Sequence, residues 1–465
     1  MIRIDVLPDD VLLEIFDFYM KIHSPEWEKT DVEAWQSLVH VCRRWRTLVL
    51  GSPRRLNLKL FCSPKTPAKD TLDVWPALPL IVVGNMELSF STPDGIIVAL
   101  GQSNRVCEVS LWIPTCELEE VLAAMQVPFP ELTHLSLSSF GEMPNIPDSF
   151  LDGSAPRLRC FRLDGIPFPG LPNLLLSATH LVALSLEHIP HSAYITPEAI
   201  VALVSVLSSL KYLTLEFQSP QSRPDREARH PPPSKRYVIP ALNSLRFKGV
   251  IEYLEDLVTF INAPQLKDML ITFFNQIDFD TPQLAQFINR TPTLRKRDAH
   301  VLFSDYSTRV SLLPETTWRR ALEIAISCIE PDWQLSSIEQ VCNSSLHPLS
   351  TVEDLYIEHK YSKLVWKDDA IENTLWLQLL LPFTAAKNLY VSKEFAPGIA
   401  AALQELGSRI TEVLSSLQNI FVEGLEPSEH FQKNIRQFVA ARQLSNHPIT
   451  ISVWEEGSDM EVDVT

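Results

Sequence analysis

A spaced apolar pattern, leucine-x-x-leucine-x-leucine with aliphatic and aromatic substitutions, recurs along most of the chain and constrains its fold more than any other feature. The clearest copies place their apolar residues at 132/135/137, 158/161/163, 181/184/186, 210/213/215, 242/245/247 and 266/269/271, with weaker copies beginning at Val106, Val352, Ala386 and Leu417. From Val106 to Leu266 the first positions of successive copies lie 23 to 32 residues apart. Because alternating apolar residues indicate a strand with one buried face, each copy predicts one short strand.

The segments between these copies have helical periodicity. Thr196-Pro197-Glu198 combines an N-cap, a proline suited to the first helical position and an acid in the first turn, and Thr281-Pro282 repeats the signal. Further helices are predicted at 117–125, 251–261, 372–381, 397–417 and 428–444. The phase is lost between about 294 and 349, although 299–303 and 322–326 still predict strands. The alternation favours an α/β fold.

This alternation resembles an irregular leucine-rich-repeat domain, whose period is roughly 20–29 residues. The resemblance implies an open solenoid of stacked parallel strands and helices over residues 53–454. The asparagine or cysteine that the family often places three residues after the last apolar position is replaced here, for example by Phe140, Ile166 and Val250. The alternative is an α/β domain with buried parallel strands, which should lack the repeated phase.

Residues 1–52 form a separate pattern. Residues 7–19, LPDDVLLEIFDFY, predict a helix with Pro8 at its first position and acids in its first turn, and a second helix is predicted over about 34–50. Arg43, Arg44 and Arg46 are expected to be solvated between the apolar residues of that second helix. The apolar stripes are wide for a segment of about fifty residues, which cannot bury them internally.

The order of these residues, LPxxVLxxIF followed by a tryptophan-led helix ending in HVCRRWR, resembles the F-box, and irregular repeats behind it resemble the large F-box families of fungi. The resemblance implies that residues 1–52 dock onto a Skp-type adaptor and, through it, a cullin. The family's contact positions fall on Leu7, Pro8, Leu12, Ile15, Phe16, Val41, Cys42 and Trp45. The connection over 20–33 is longer than the usual F-box loop. A generic helical hairpin is the alternative.

By this resemblance the chain is expected to be the substrate receptor of an SCF-type ubiquitin ligase, holding a protein substrate on the concave strand face of the repeats. It would raise the effective concentration of substrate lysines near a ubiquitin thioester on another subunit, and would itself supply no catalytic residue. The alternatives are a scaffold whose F-box acts without a cullin and an intracellular repeat receptor. A hydrolase or transferase is disfavoured.

Composition excludes several other classes. The net charge of -17 has the wrong sign for broad phosphate contact, which argues against nucleic acid, and 13 glycines against 35 prolines argue against glycine-rich phosphate loops. No nucleotide, hydrolase or metalloprotease motif occurs, and the His188-x-x-His191 pair lacks zinc-site spacing, so no cofactor or metal is expected. Seven scattered cysteines are expected to be reduced and buried, in a cytoplasmic or nuclear protein. Neither a secretory leader nor a membrane span is predicted.

Two segments depart from the repeat pattern. Residues 219–240, with six prolines and almost no apolar side chains, are predicted to be an exposed loop or short disordered insertion; a polyproline ligand for an SH3 or WW module is the alternative. Residues 455–465 are predicted to be a frayed acidic tail.

Overall fold

The structure, a computed structural model, describes residues 6–23, 34–63, 68–85, 94–140, 144–220, 236–274, 279–314, 320–328, 331–344, 346–360, 373–406, 412–424 and 429–454. The chain divides into two compact units, Met1–Ala193 and Tyr194–Thr465. Both contain helices and mostly parallel strands, so the predicted α/β class is confirmed at that level.

The first unit begins with helices and continues as alternating strands and helices. Its helices are α1 (Asp9–His23), α2 (Ala34–Val39), α3 (Arg43–Gly51), α4 (Ala68–Val74), α5 (Asp94–Leu100), α6 (Thr115–Ala124) and α7 (Leu171–Ser177). Its strands are β1 (Leu60–Cys62), β2 (Leu80–Asn85), β3 (Val106–Pro114), β4 (His134–Phe140), β5 (Cys160–Asp164) and β6 (Ala183–Ile189). These strands pair in chain order, each parallel to the next.

The second unit has the same alternation over a longer stretch. Its helices are α8 (Pro197–Ser205), α9 (Ile251–Phe260), α10 (Pro282–Asn289), α11 (Pro331–Asn343), α12 (Asn373–Leu380), α13 (Ala396–Glu405) and α14 (Glu429–Leu444). Its strands are β7 (Tyr212–Phe217), β8 (Tyr237–Val238), β9 (Ser244–Gly249), β10 (Ile261–Asn262), β11 (Asp268–Phe273), β12 (Asp298–Phe303), β13 (Ser307–Leu313), β14 (Leu322–Ser327), β15 (Asp354–His359), β16 (Asn388–Val391), β17 (Asn419–Glu423) and β18 (Thr450–Trp454).

The main sheet of the second unit runs in the order β7-β9-β11-β14-β13-β12-β15-β16-β17-β18, while β8 and β10 pair separately. Its neighbours are parallel except at β12–β13 and β13–β14, which are antiparallel. The chain therefore reverses direction twice within 298–327, and the described residues of that stretch, 298–314 and 320–327, contain no helix. This meander occupies the stretch in which the sequence repeat loses its phase, because β13 returns along the sheet where other copies have a helix.

The repeated apolar positions form the core of each unit. Leu132, Leu158 and Leu181, the first leucines of three copies, are fully buried, and so are Leu210 and Leu266 in the second unit. Along the strands the two later apolar positions are buried and the residue between them is partly or fully exposed. Since burying a leucine contributes roughly 1.5–3 kcal/mol, these repeated side chains account for much of the stabilisation.

Backbone hydrogen bonds join successive copies just before their strands. In the first unit the amide of Thr133 donates to the carbonyl of Cys107, that of Arg159 to Thr133, and that of Val182 to Arg159. The distances are 2.8, 2.8 and 2.7 Å. Each copy thus satisfies polar groups of the preceding one, which fixes the register between neighbouring strands.

Several local predictions differ from the structure. The helix predicted over 34–50 is two helices, and the helix predicted over 397–417 ends at Glu405. Within the proline-rich segment, Tyr237 and Val238 form β8, whereas 221–235 lie outside the described residues, as does the predicted acidic tail. Across the described residues, no helix combines the length and apolarity needed to cross a membrane.

Candidate functional site

The first helix begins one residue later than the sequence predicts. The carbonyl of Pro8 accepts the amide of Leu12 at 3.1 Å, which makes Pro8 the residue before the helix and not its first residue. Asp9 and Asp10 then lie in the first turn of α1, where the positive end of the helix dipole favours their charge. Proline suits either position, since neither needs its missing N–H.

The predicted second helix breaks at Cys42. This residue has an extended backbone, and its Sγ accepts the amide of Trp45 at 3.5 Å, so it caps α3. The amides of His40 and Val41 bond to carbonyls three residues earlier, which ends α2 in a tight turn. The break changes the direction of the chain between Trp35 on α2 and Trp45 on α3.

The structure separates the eight predicted adaptor contacts into buried and exposed residues. Leu12 and Phe16 are completely buried, and the Phe16 ring lies 4.7 Å from that of Trp45, which joins α1 to α3. Leu7 and Trp45 are partly exposed, whereas Pro8, Ile15, Val41 and Cys42 are exposed. Leu12 and Phe16 thus belong to the core of the helical segment and offer no surface to a partner in this conformation.

An exposed apolar stripe remains on α1. Val11, Ile15 and Phe18 follow one another at spacings of four and three residues, so they share one face of the helix. Ile15 is 40% exposed, Phe18 is 66% exposed and Val41, in the turn before α3, is 59% exposed. The sequence pattern treated Val11 and Ile15 as one stripe with Leu12 and Phe16, but the structure divides that stripe into an inner and an outer half.

Arg44 connects the start of α3 to the start of α1. Its Nη2 donates to the Leu7 carbonyl at 2.6 Å and to Asp9 Oδ1 at 2.5 Å, and its Nε lies 3.1 Å from the same carboxylate oxygen. Arg43 and Arg46 are exposed, as predicted, although the Nε of Arg46 also donates to the Val39 carbonyl, whereas Arg44 is only partly exposed. Such partly exposed pairs contribute little energy but fix the angle between the two helices.

The residues considered for metal or thiol chemistry have structural roles. The Nδ1 of His188 lies 2.7 Å from Asp164 Oδ1, and the described residues contain no group of histidine, cysteine or carboxylate side chains arranged to hold a metal ion. All seven cysteines are free. The expectation that they are buried is wrong for Cys42 and Cys116, which are exposed.

The strands of the second unit present a face that the sequence analysis did not single out. We call it the ladder face and define it by the outward side chains of β12 and β15–β18: Asp298, His300, Leu302, Asp354, Tyr356, Glu358, Asn388, Tyr390, Asn419, Phe421, Glu423, Thr450, Ser452 and Trp454. Residues of neighbouring strands pair in register along it. On β12 and β15–β17 it lies opposite buried apolar residues, whereas Ile451 and Val453 on the opposite face of β18 are exposed.

A chain of polar side chains crosses this face at the start of the strands. Asn388 Nδ2 donates to Asp354 Oδ1 at 2.6 Å, Asn419 Nδ2 donates to Asn388 Oδ1 at 2.7 Å, and the Thr450 hydroxyl donates to Asn419 Oδ1 at 2.5 Å. All the donors point towards Asp354. These hydrogen bonds orient both side-chain amides so that their N–H groups point towards Asp354, and the amide of Asn388 donates to its carboxylate.

One row further along, four rings stack across adjacent strands. The ring centroids of His300 and Tyr356 are 4.3 Å apart, those of Tyr356 and Tyr390 4.2 Å, and those of Tyr390 and Phe421 4.5 Å, with planes within 9° of parallel. Trp454 meets Tyr390 edge-on at 5.8 Å. The strand spacing of a sheet sets these separations, so the ladder follows directly from having a ring at the same position of each copy.

The two tyrosines remain protonated over a wide pH range. Burial is the largest cause that raises the pKa of Tyr356, and the neighbouring Tyr390 and Asp354 raise it further. Burial and then Asp354 also raise the pKa of Tyr390, although its hydrogen bond with Tyr356 acts in the opposite sense. Their hydroxyls thus present neutral hydrogen-bonding groups beside a carboxylate.

A sequence signal for the ladder was available. Three of its four rings, Tyr356, Tyr390 and Phe421, occupy the position between the last two apolar residues of a repeat copy, as Tyr356 does between Leu355 and Ile357. The repeat pattern is defined by its apolar residues alone, so the intervening residue is not part of it.

A comparison with models of known protein families finds no match to this chain, and a search of curated proteins finds none either.

Proposed function

We propose that this chain is the substrate-recognition subunit of an SCF-type ubiquitin ligase, in which the N-terminal helices bind a Skp-type adaptor and, through it, a cullin. The observation that carries this proposal is the division of the F-box-like helix into a buried half and an exposed apolar half. An apolar helix face that a short module leaves uncovered is a surface suited to a partner's helices. The exposed candidates are Ile15 and Val41, with Val11 and Phe18 added from the same surface.

The repeats supply the second half of the proposal. Consecutive parallel strands with a buried aliphatic face and a polar or aromatic outward face are compatible with a leucine-rich-repeat-like solenoid that holds a protein substrate. The chain then acts by proximity in the cytoplasm or nucleus. It holds substrate lysines near a ubiquitin thioester carried by another subunit, and the chemistry belongs to that subunit.

Co-expression with a Skp-type adaptor tests the assignment. The double variant Ile15→Asp/Val41→Asp places two carboxylates on the proposed interface without touching the buried Leu12, so we expect it to lose the adaptor while retaining its circular dichroism spectrum. Burying two charges against an apolar partner should weaken binding at least ~100-fold. The matched control, Val127→Asp/Leu176→Asp, changes two exposed aliphatic residues outside the module and should bind normally.

Retention of the adaptor by the Ile15→Asp/Val41→Asp variant would overturn the proposed interface, and failure of the wild-type chain to form an adaptor complex would overturn the proposed function.

A further inference from the structure

The strand β18 lies at the edge of the sheet in the second unit. Among the described residues it hydrogen-bonds to one strand only, β17, to which it is parallel. The amide of Thr450 donates to the carbonyl of Gln418 at 2.9 Å, and alternate residues of a parallel strand bond to the same neighbour. The backbone N–H and C=O groups of Ile451 and Val453 therefore point away from β17, towards the open side of the strand.

Residues 450–454 lack the sequence features that usually prevent further pairing at an edge. Natural edge strands are commonly very short, or carry charged residues, prolines or bulges. The first strand of the chain, β1, fits that rule with three residues, two of which are buried. In contrast, β18 has five uncharged residues without a proline, and it pairs with β17 in regular register. Its Ile451 and Val453 side chains are 41% and 47% exposed.

The hydrogen-bonded polar side chains of the ladder face have one direction, and they end on β18. The carboxylate of Asp354 can only accept, so Asn388 donates to it. Asn419 then donates to Asn388, and the Thr450 hydroxyl donates to Asn419. A hydroxyl has one hydrogen and two lone pairs, and the hydrogen of Thr450 is already used. Thr450 can therefore bind a further partner only by accepting a hydrogen bond.

We propose that β18 binds an extended segment of the protein substrate as an added strand, with an asparagine or another side-chain hydrogen-bond donor opposite Thr450. This inference rests on the proposed function as a substrate receptor and names the kind of segment that the receptor takes. The main chain of the segment pairs with the edge-facing groups of Ile451 and Val453, as in other cases of β-strand addition.

Asparagine suits the position opposite Thr450 because asparagine already spans one strand spacing on this face, at 388 and again at 419. On the other face of the added strand, β-branched residues would cover the exposed side chains of Ile451 and Val453. The preferred segment therefore alternates side-chain donors with β-branched residues.

The need for a donor argues against occupants from this chain. Residues 459–464, which follow β18 in the sequence, are alternately acidic and apolar and contain no side-chain donor. A second copy paired through its own β18 would have its Thr450 hydrogen already bonded to Asn419, and would add a like net charge of -17. A separate segment with an asparagine meets the need without either conflict.

Fluorescence anisotropy with the purified full chain tests the inference without any adaptor. The probe is a labelled peptide in which asparagine alternates with valine, so that either strand direction can place an asparagine opposite Thr450. One control peptide has leucine in place of each asparagine, which keeps a similar shape and removes the donor. A second control has the same side chains on an N-methylated backbone. The asparagine peptide should bind about tenfold more tightly than the leucine peptide, and the N-methylated peptide should not bind measurably.

Two variants locate the site. Thr450→Val keeps the shape of the side chain but removes the hydroxyl, so it should bind the asparagine peptide about tenfold more weakly and the leucine peptide unchanged. Val453→Pro removes an amide that β17 does not use, which an edge strand tolerates, and should lose both peptides while keeping its circular dichroism spectrum. Thr384→Val makes the same change at an exposed threonine outside the strands and should bind like the wild type.

Absence of binding by the asparagine peptide, or equal or tighter binding of the leucine peptide, would overturn the inference. Unchanged binding by Val453→Pro or of the N-methylated peptide would also contradict it, since neither permits strand addition. A wild-type dimer, measured by light scattering, that Val453→Pro dissociates would instead assign the edge to a second copy. Because these assays contain no adaptor, such results leave the adaptor complex, and with it the proposed function, standing.

Discussion

The helices α9 and α10 are joined by a cap that can be removed with one substitution. Glu255 on α9 accepts the amides of Gln283 and Leu284, in the first turn of α10, at 3.0 and 2.7 Å. Thr281, the residue at the N-cap of α10, makes no such bond with its own side chain. In return Arg290, at the end of α10, donates to the Val258 and Ile261 carbonyls at the end of α9.

Replacing Glu255 with alanine should destabilise α10 by about 2 kcal/mol. Each hydrogen bond to a charged acceptor contributes ~1.5–3 kcal/mol, but dehydration of the partly buried carboxylate offsets part of that gain, and removal of a helix cap costs roughly 0.5–2 kcal/mol. An effect of about 2 kcal/mol corresponds to roughly 30-fold in an opening equilibrium. Glu255→Gln keeps one acceptor oxygen and should fall between alanine and the wild type.

Amide hydrogen exchange, followed by mass spectrometry, measures the opening of α10 itself. A local measurement is needed because a chain with two units need not unfold in one step. A peptide covering 282–289 should exchange about 30-fold faster in Glu255→Ala, while one covering 106–114 should be unchanged. Glu252→Ala, at an exposed position of the same helix, is the control and should have almost no effect. Equal protection of α10 in the two alanine variants would refute the capping argument.

The remaining predictions concern pH, packing and thiol access. Burial raises the pKa of Glu255 above its usual 4.5, so the stability linked to this proton is present below pH 4.5 and is lost as pH rises through the folded pKa. In urea unfolding, the excess free energy of unfolding of wild type over Glu255→Gln should therefore shrink from pH 4 to 7. An excess that grows with pH would contradict this. Gly249→Ala puts a methyl group 2.5 Å from the buried Phe247 ring and should lower the free energy of unfolding, measured with urea, by about 1–3 kcal/mol. Gly95→Ala in α5 meets no neighbour within 4 Å and should raise that free energy slightly, so similar shifts in the two variants would argue against close packing at Gly249. Iodoacetamide should modify the exposed Cys42 in the native protein but not Cys342, because complete burial raises the pKa of the Cys342 thiol. Mass spectrometry measures the labelling of each residue, and equal labelling of the two would disprove the burial of Cys342 in α11.

The strand positions could be predicted because alternation reports burial directly. At Leu355 and Ile357 the apolar residues face the core and the intervening side chain does not, and the structure has a strand there. Helix starts with local signals were also predictable, as at Thr196, whose hydroxyl accepts the Ala199 amide at 3.2 Å. These features depend on residues a few positions apart.

Strand direction and long-range contacts could not be predicted in this way. A period of two is the same for parallel and antiparallel strands, so no pattern in the residues indicates that β13 runs back between β12 and β14. The α10 cap comes from Glu255, which lies 28 residues before Gln283 and has no signature in the local sequence.

The division of the first helix was unpredictable for a related reason. Leu12 and Ile15 both belong to its broad apolar stripe, and only the position of Trp45 on α3 decides which half is covered. Helical periodicity gives the angle of a side chain around its own axis, but not the place of a neighbouring helix.

The outward residues at the centres of the strands differ between the two units, whereas the buried residues are apolar in both. This difference makes the strands of the second unit the better candidate for binding a protein. Across β3–β6 the row in register at the strand centre contains Ser110, Ser136, Arg162 and Ser185. Across β12 and β15–β17 the matching row contains the four stacked rings of the ladder face. The inward residues are aliphatic or aromatic in both rows, so packing alone does not require rings on the outside. A row of three serines and one arginine offers little apolar area to a protein ligand, whereas the ring row with its carboxylate border offers both area and charge. If the strand face binds substrate, β15–β18 should therefore contribute more of the binding free energy than β3–β6.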